Sequence, residues 1–220
     1  MPLVQHLEDS AEVAGYLWDR WISPIVRRQA SAGLPGSEDD GRVLLRFLAG
    51  VHDVGKATPA FACQMPALLD RMRDNGLSLA HVPPRSDSRV VPHATAGQVA
   101  LRRWLHEQYA ASPIAADTLA CVVGGHHGLP AGKSGILVAM ERPDLMGGAP
   151  WSAVQDELLT GMADRTGATG RLAAWMKSPP QPAAQSILTA LVIVADWLAS
   201  DENRFPFGNF GYETDPAQRA

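Results

Sequence analysis

An all-α helical bundle is the fold class this sequence predicts, and three observations predict it. Apolar residues recur every three or four positions over most of the chain. No stretch of useful length alternates apolar and polar residues as a half-buried strand does. The 220 residues are 46% hydrophobic, which supplies a core that disordered or fibrous chains lack.

Taken in order, Leu7, Ala11, Ala14, Leu17/Trp18, Trp21 and Ile25 predict one amphipathic helix over residues 7–30, ended by the loop Ala32-Gly33-Leu34-Pro35-Gly36-Ser37. A second, strongly apolar helix runs through Val43 to Ala49 and reaches His52-Asp53, with Gly55 as its stop. Thr58-Pro59 reads as an N-cap with proline at the first helical position, opening a helix to Arg73. Residues 76–92 form a loop rich in proline, serine and charge. Helical signals resume from His93 to Tyr109, from Ile114 to Val123 and from Trp151 to Asp164, with the glycine- and proline-rich residues 128–150 irregular between them. Ser178-Pro179-Pro180-Gln181-Pro182 precedes the last long helix, Ala183 to Ser200. From Asn203 onward the chain is aromatic and glycine-rich without a helical period.

Composition excludes several classes. Cys63 and Cys121 are the only cysteines and form no CxxC, so neither a disulfide scaffold nor a thiolate zinc site is expected; two small buried hydrophobes in a reducing cytoplasm fit better. The N-terminus lacks the basic and apolar regions of a secretory signal. The longest apolar run, Ile187 to Ala195, is broken by Thr189, followed by Asp196 and too short for a bilayer, so no membrane partner is expected. The net charge of −4 disfavours autonomous duplex binding, because phosphate contacts dominate such affinity. It leaves room for a site where bound cations supply the positive charge.

The chemistry concentrates in a few anomalies. His52-Asp53 closes a very apolar helix, where a buried pair needs either a divalent cation or a hydrogen-bond network. In Gly124-Gly125-His126-His127-Gly128, adjacent imidazoles between glycines either converge on one ion or form a solvated turn. Asp196 interrupts an apolar helix, so the period buries it or places it at a pocket wall, paired with a cation or with a structural hydrogen bond. His6 and His93 open helices and by themselves are as readily surface residues; Lys56 is either a phosphate contact or a solvated lysine. His81, His106, Arg85, Arg89, Arg102 and Arg103 are expected at the surface.

In combination and order, His6, His52-Asp53 with Gly55-Lys56, His93, His126-His127 and Asp196 match the pattern of the HD phosphohydrolase superfamily. The HD-x-G-K segment, GGHHG and the late ADWLASDENRFPF segment resemble, more narrowly, the HD nuclease domain of the CRISPR-associated type I helicase-nuclease. The resemblance implies an HD-domain helical bundle over residues 1–205, with 206–220 a tail leading toward a helicase domain. It implies two divalent transition-metal ions, one held by His6, His52, Asp53 and Asp196 and one by Asp53, His93, His126 and His127, with Asp53 bridging. Imidazole and carboxylate ligands suit Mn, Fe, Co or Ni, with Zn or Mg admissible, over an all-oxygen calcium cage. Two ions about 3.5–4 Å apart can share one short carboxylate.

The function so implied is a metal-dependent nuclease hydrolysing phosphodiester bonds of single-stranded DNA in antiviral defence, with Asp53 and Lys56 as catalytic residues. The implied partners are a helicase domain, in cis or in trans, and a crRNA-guided surveillance complex. The rival readings are an HD-type hydrolase of nucleotides or cyclic nucleotides, and a non-catalytic interaction module.

Overall fold

The structure is a computed structural model that describes residues 2–77 and 85–205. His81 and the tail beyond Phe205 therefore lie outside the described residues. Among the described residues there is no β-strand. Helices α1 (Leu3–Tyr16), α2 (Pro24–Ala30), α3 (Ser37–Val51), α4 (Pro59–Ala62) and α5 (Pro66–Asp74) form the first half. They are followed by α6 (His93–Tyr109), α7 (Pro113–Gly124), α8 (Lys133–Met140), α9 (Pro143–Met146), α10 (Gly148–Thr166), α11 (Thr169–Lys177) and α12 (Pro182–Ala199).

The core lies among α1, α3, α6, α7 and α12, with α10 closing one side of α3. Leu7 from α1, Leu44, Leu45, Phe47 and Leu48 from α3, Leu101 and Trp104 from α6, Leu119 from α7 and Leu188 and Val192 from α12 are essentially fully buried. Each such side chain contributes roughly 1.5–3 kcal/mol as an upper estimate. Phe47 and Trp104 meet with ring centroids 6.2 Å apart and join α3 to α6. By length and hydropathy α12 is long and apolar enough to cross a membrane, with 18 residues at mean hydropathy 1.5, more than its central run Ile187–Ala195 suggests. In this fold it packs on α1, α2, α3 and α7 and buries Leu188, Leu191, Val192, Ala195 and Ala199.

Three of the expected boundaries change. The single helix over 7–30 is two helices: after α1 the chain passes through a π turn, Leu17–Trp21, and breaks at Ile22. Pro24, lacking an amide hydrogen, starts α2 with Ser23 as its cap at 3.4 Å from Val26 N. The helix expected from Thr58 to Arg73 stops at Ala62 and restarts at Pro66, again at a proline. Residues 128–132 are irregular as expected, whereas 133–150 fold into α8, α9 and the first turn of α10, and α11 is a helix the periodicity did not reveal. Three of the glycines and prolines there mark helix ends: Gly132 precedes α8, Pro143 opens α9, and Gly147 takes φ 102° as the junction of α9 and α10.

Candidate metal centre

Five helices deliver the histidines and acids to one end of the core. His6 comes from α1, His52 and Asp53 from the end of α3, His93 is the first residue of α6, His126 and His127 follow α7, and Asp196 lies in the last turn of α12. The turn after α3 does the closest work. Asp53 adopts φ −100°, ψ 12°, the chain tightens into a 3₁₀ turn over Val54–Lys56, and Thr58 both caps α4 and donates its hydroxyl to Gly55 O at 2.8 Å. Gly55 presses on the start of α6 so closely that a Cβ there would fall 1.9 Å from His93 O and 2.4 Å from Gly97 N. Only glycine permits that approach. Gln155 of α10, buried, donates to Ala57 O at 2.9 Å and fixes the exit of the same turn.

The side chains form two groups around Asp53. On one side, His6 Nε2 lies 3.2 Å from Asp53 Oδ2 and 3.2 Å from Asp196 Oδ1. His52 Nε2 lies 3.5 Å and 3.3 Å from the same two oxygens. On the other side, Asp53 Oδ1 lies 3.3 Å from His93 Nε2 and 3.5 Å from His126 Nε2. His93 Nε2 in turn lies 3.4 Å from His126 Nε2 and 2.9 Å from His127 Nε2. The candidate ligand atoms of His6, His52, Asp53 and Asp196 all lie within 4.8 Å of one another, as do those of His93, His126 and His127. The two oxygens of Asp53 thus face different groups.

These donors suit a cation better than they suit each other. His52 donates Nδ1–H to Ala49 O at 2.7 Å and His126 donates Nδ1–H to Val123 O at 2.6 Å, because a carbonyl can only accept. With Nδ1–H engaged in this way, each ring turns its Nε2 toward the cluster, the orientation in which metal-ligating histidines are held. Although several of these atoms are within ion-pair distance of a carboxylate, His6 Nδ1 and Nε2, His52 Nε2 and Asp53 Oδ1 are buried without a hydrogen-bond partner. An unsatisfied buried polar group costs about 1–3 kcal/mol. A divalent ion bound by imidazole and carboxylate removes that cost without requiring a thiolate.

The electrostatics of the metal-free chain show the same demand for positive charge. Burial pushes the His52 imidazole down, but the carboxylates of Asp53 and Asp196 outweigh it and raise His52 to about 10. Burial pushes the Asp53 and Asp196 carboxyls up, and the surrounding imidazoles prevail and hold both below the usual carboxylate range. His93 goes the other way: burial, with His126, Lys56 and His127 nearby, lowers it to about 4 against the pull of Asp53. His127 is lowered too, chiefly by burial and by His126.

The structure thus places His6, which by itself reads as a surface residue, in a buried position, and half-buries His93 at the cluster. Lys56 is no solvated lysine: its Nζ pairs with Asp53 Oδ2 and sits 5.7 Å from the centroid of Phe61, whose ring meets His93 edge-on. His106 is exposed and far from these contacts, its Nδ1–H donated to Ala111 O at 3.0 Å. Arg102 pairs with Asp117 and Arg103 with Asp156 and Glu107, while Arg89 is exposed. Cys63 is buried and Cys121 only partly so. Sequence reasoning passed over Phe61, Gln98 and Gln155. The available signal was an amide on an otherwise apolar helical face at 98 and 155.

Comparison with known proteins settles the family: residues 1–205 match the family model described as "Cas3, HD domain". The chain belongs to the Cas3 HD domain family. It is 30% identical over 228 residues to the CRISPR-associated nuclease/helicase Cas3 of Streptococcus thermophilus, covering 94% of this chain and 23% of that protein. The crystal structure of the Thermus thermophilus Cas3 HD domain in the presence of Ni2+ superimposes with a TM-score of 0.69 at 28% identity, covering 99% of this chain and 79% of that one. A chain of a CRISPR RNA-guided surveillance complex, pre-nicking, aligns with a TM-score of 0.65 at 26% identity, over 92% of this chain and 23% of that chain. The chain spans less than a quarter of the length of the curated Cas3 relatives it matches.

Proposed function

We propose that this chain is the metal-dependent nuclease domain of a type I CRISPR interference system, hydrolysing phosphodiester bonds of single-stranded DNA. The observation that carries the reading is the division of Asp53: one oxygen faces His6, His52 and Asp196, the other faces His93 and His126. Such a split suits one carboxylate shared between two ions. His6, His52, Asp53 and Asp196 would hold one ion, and Asp53, His93, His126 and His127 the other.

When bound, divalent ions at such a site acidify water and neutralise the charge that develops on phosphate. The chain's own residues prepare that chemistry. The carbonyls of Ala49 and Val123 fix the ring orientation of His52 and His126. Lys56, which pairs with Asp53 Oδ2, would be the group to hold a phosphate oxygen at the same site. The net charge of −4 accords with a domain whose affinity for a strand comes from bound cations and partners. Mn, Fe, Co or Ni suit the donor set best, with Zn or Mg admissible. The names of the relatives, nuclease/helicase and surveillance complex, support a helicase domain, in cis or in trans, and a crRNA-guided complex as partners.

The test uses the metal-free chain with circular single-stranded DNA, duplex DNA and mononucleotides, adding Mn, Co, Ni, Mg or Zn separately. Opening and degradation of the single-stranded circle is the expected result. Hydrolysis of mononucleotides alone would replace the reading with a nucleotide phosphohydrolase, and ion uptake without turnover on any substrate would leave a non-catalytic module.

A further inference from the structure

The turn that carries His126 and His127 is held at its entrance by α7, through the bond from His126 Nδ1–H to Val123 O and the bond from Gly128 N–H to Gly125 O at 2.7 Å. Beyond it, Leu129, Pro130 and Ala131 make no backbone–backbone hydrogen bond among the described residues. What holds the exit is a side chain. Gln98 of α6, 1% exposed, accepts from Ala131 N–H through Oε1 at 2.9 Å and donates from Nε2 to Ala131 O at 3.3 Å. The same Nε2 lies 3.6 Å from Cys121 Sγ on α7. The fit is tight enough to dictate its neighbour: a Cβ on Gly124 would fall 2.0 Å from Gln98 Oε1.

One carboxamide therefore ties α6, which starts at His93, to the segment leaving His126-His127. These three imidazoles form one of the two groups, and the amide touches none of the other group's residues. We propose that Gln98 is a positioning residue for the ion held on the His93 side. It sets how strongly that ion binds and leaves the His6–His52–Asp196 side unchanged. The inference rests on the two-ion reading above.

The mechanism is geometric. His127 is exposed, so packing alone does not fix it. Without the double bond from Gln98 to Ala131, the exit of the turn gains freedom that His126 and His127 inherit. An outer-shell partner bonded directly to a ligand is worth about 10–100-fold in metal affinity, and Gln98, which acts through the Ala131 backbone, is expected at the lower end, about 10-fold.

The experiment titrates the metal-free chain with Mn2+ by calorimetry and follows unfolding in parallel. Two variants are compared with the wild type: Gln98→Met, of similar length but without the amide, and Gln98's neighbour altered as Gly124→Ala, which pushes the flexible amide end aside. The wild type should take up two ions. Each variant should keep one at wild-type strength and bind the other about 10-fold more weakly, with its melting temperature in the absence of metal lowered by only the several degrees that the lost amide bonds or the added methyl cost. Should Gln98→Met fail to fold, Gly124→Ala carries the same comparison. Two ions bound at wild-type strength by the variants would overturn the assignment of Gln98, and so would equal weakening of both ions together with a drop in melting temperature. A wild type that takes up a single ion overturns the two-ion reading itself, a result visible before any variant is made.

Discussion

Gly55→Ala is the smallest change that should dismantle the centre. The added methyl would stand 1.9 Å from His93 O, 2.4 Å from Gly97 N and 2.9 Å from His93 C, all of them backbone atoms that cannot rotate away. Ordinary contact begins at 3.4 Å, so the 3₁₀ turn and the start of α6 must separate by about 1.5 Å, an overpacking of the kind that costs about 1–3 kcal/mol, with the upper end expected between two rigid backbones. At roughly 2–4 °C per kcal/mol for a domain of this size, the melting temperature should fall by about 6–12 °C. The same separation moves Asp53 away from His93, now 3.3 Å apart at Oδ1 and Nε2, so ion uptake should suffer beyond the loss of stability. Differential scanning calorimetry of the metal-free chain, paired with metal analysis after reloading, measures both. A variant that melts with the wild type and reloads to the same metal content would refute the packing argument.

Asp53→Ala should remove both ions, whereas Asp196→Asn should weaken only the one on the His6–His52 side; elemental analysis after dialysis against limiting Mn2+ separates the two outcomes. The metal-free chain should be most stable near pH 6.5. Below that value the folded state resists protonation of His93, held at about 4, and from the ordinary carboxylate range downward it also loses the benefit of the depressed Asp53 and Asp196 carboxyls. Above it, the proton that folding secures on His52, raised to about 10, is progressively lost, so the melting temperature should decline on both sides; a rise through the alkaline range would contradict this balance. Each ion bound at a hundredfold excess over its Kd should add about 2.7 kcal/mol, or about 5–11 °C in melting temperature, and EDTA should reverse it.

How much of this was legible in the sequence depends on the kind of signal. α6 and α12 were readable nearly to the residue, because long apolar periods end at unmistakable prolines and caps. The break before α2 was not, since Leu17, Trp18, Trp21 and Ile25 keep helical spacing straight across Ser23-Pro24 and only the missing amide hydrogen of the proline interrupts it. In 128–150 three of the glycines and prolines that argue for a loop serve as the ends of short helices. His52, Asp53 and Asp196 stood out because charge and imidazole in apolar surroundings demand a partner, His6 and His93 entered only through the order of the whole pattern, and the fold gathers all of the candidate ligands into the two groups. Gln98 and Gln155 gave no such alarm: a neutral amide is cheap to tolerate on a helix, and nothing local says that its partner is the backbone of Ala131 or of Ala57.

His6 and Asp196 lie 3.2 Å apart although nearly the whole described chain separates them in sequence. A centre that joins residues so distant in sequence comes into being only after the intervening helices have packed, so a fragment lacking His6 or Asp196 keeps most of the candidate ligands but not the complete His6–His52–Asp53–Asp196 group. Under the proposed nuclease reading, that topology withholds the site from incomplete fragments without a separate inhibitor.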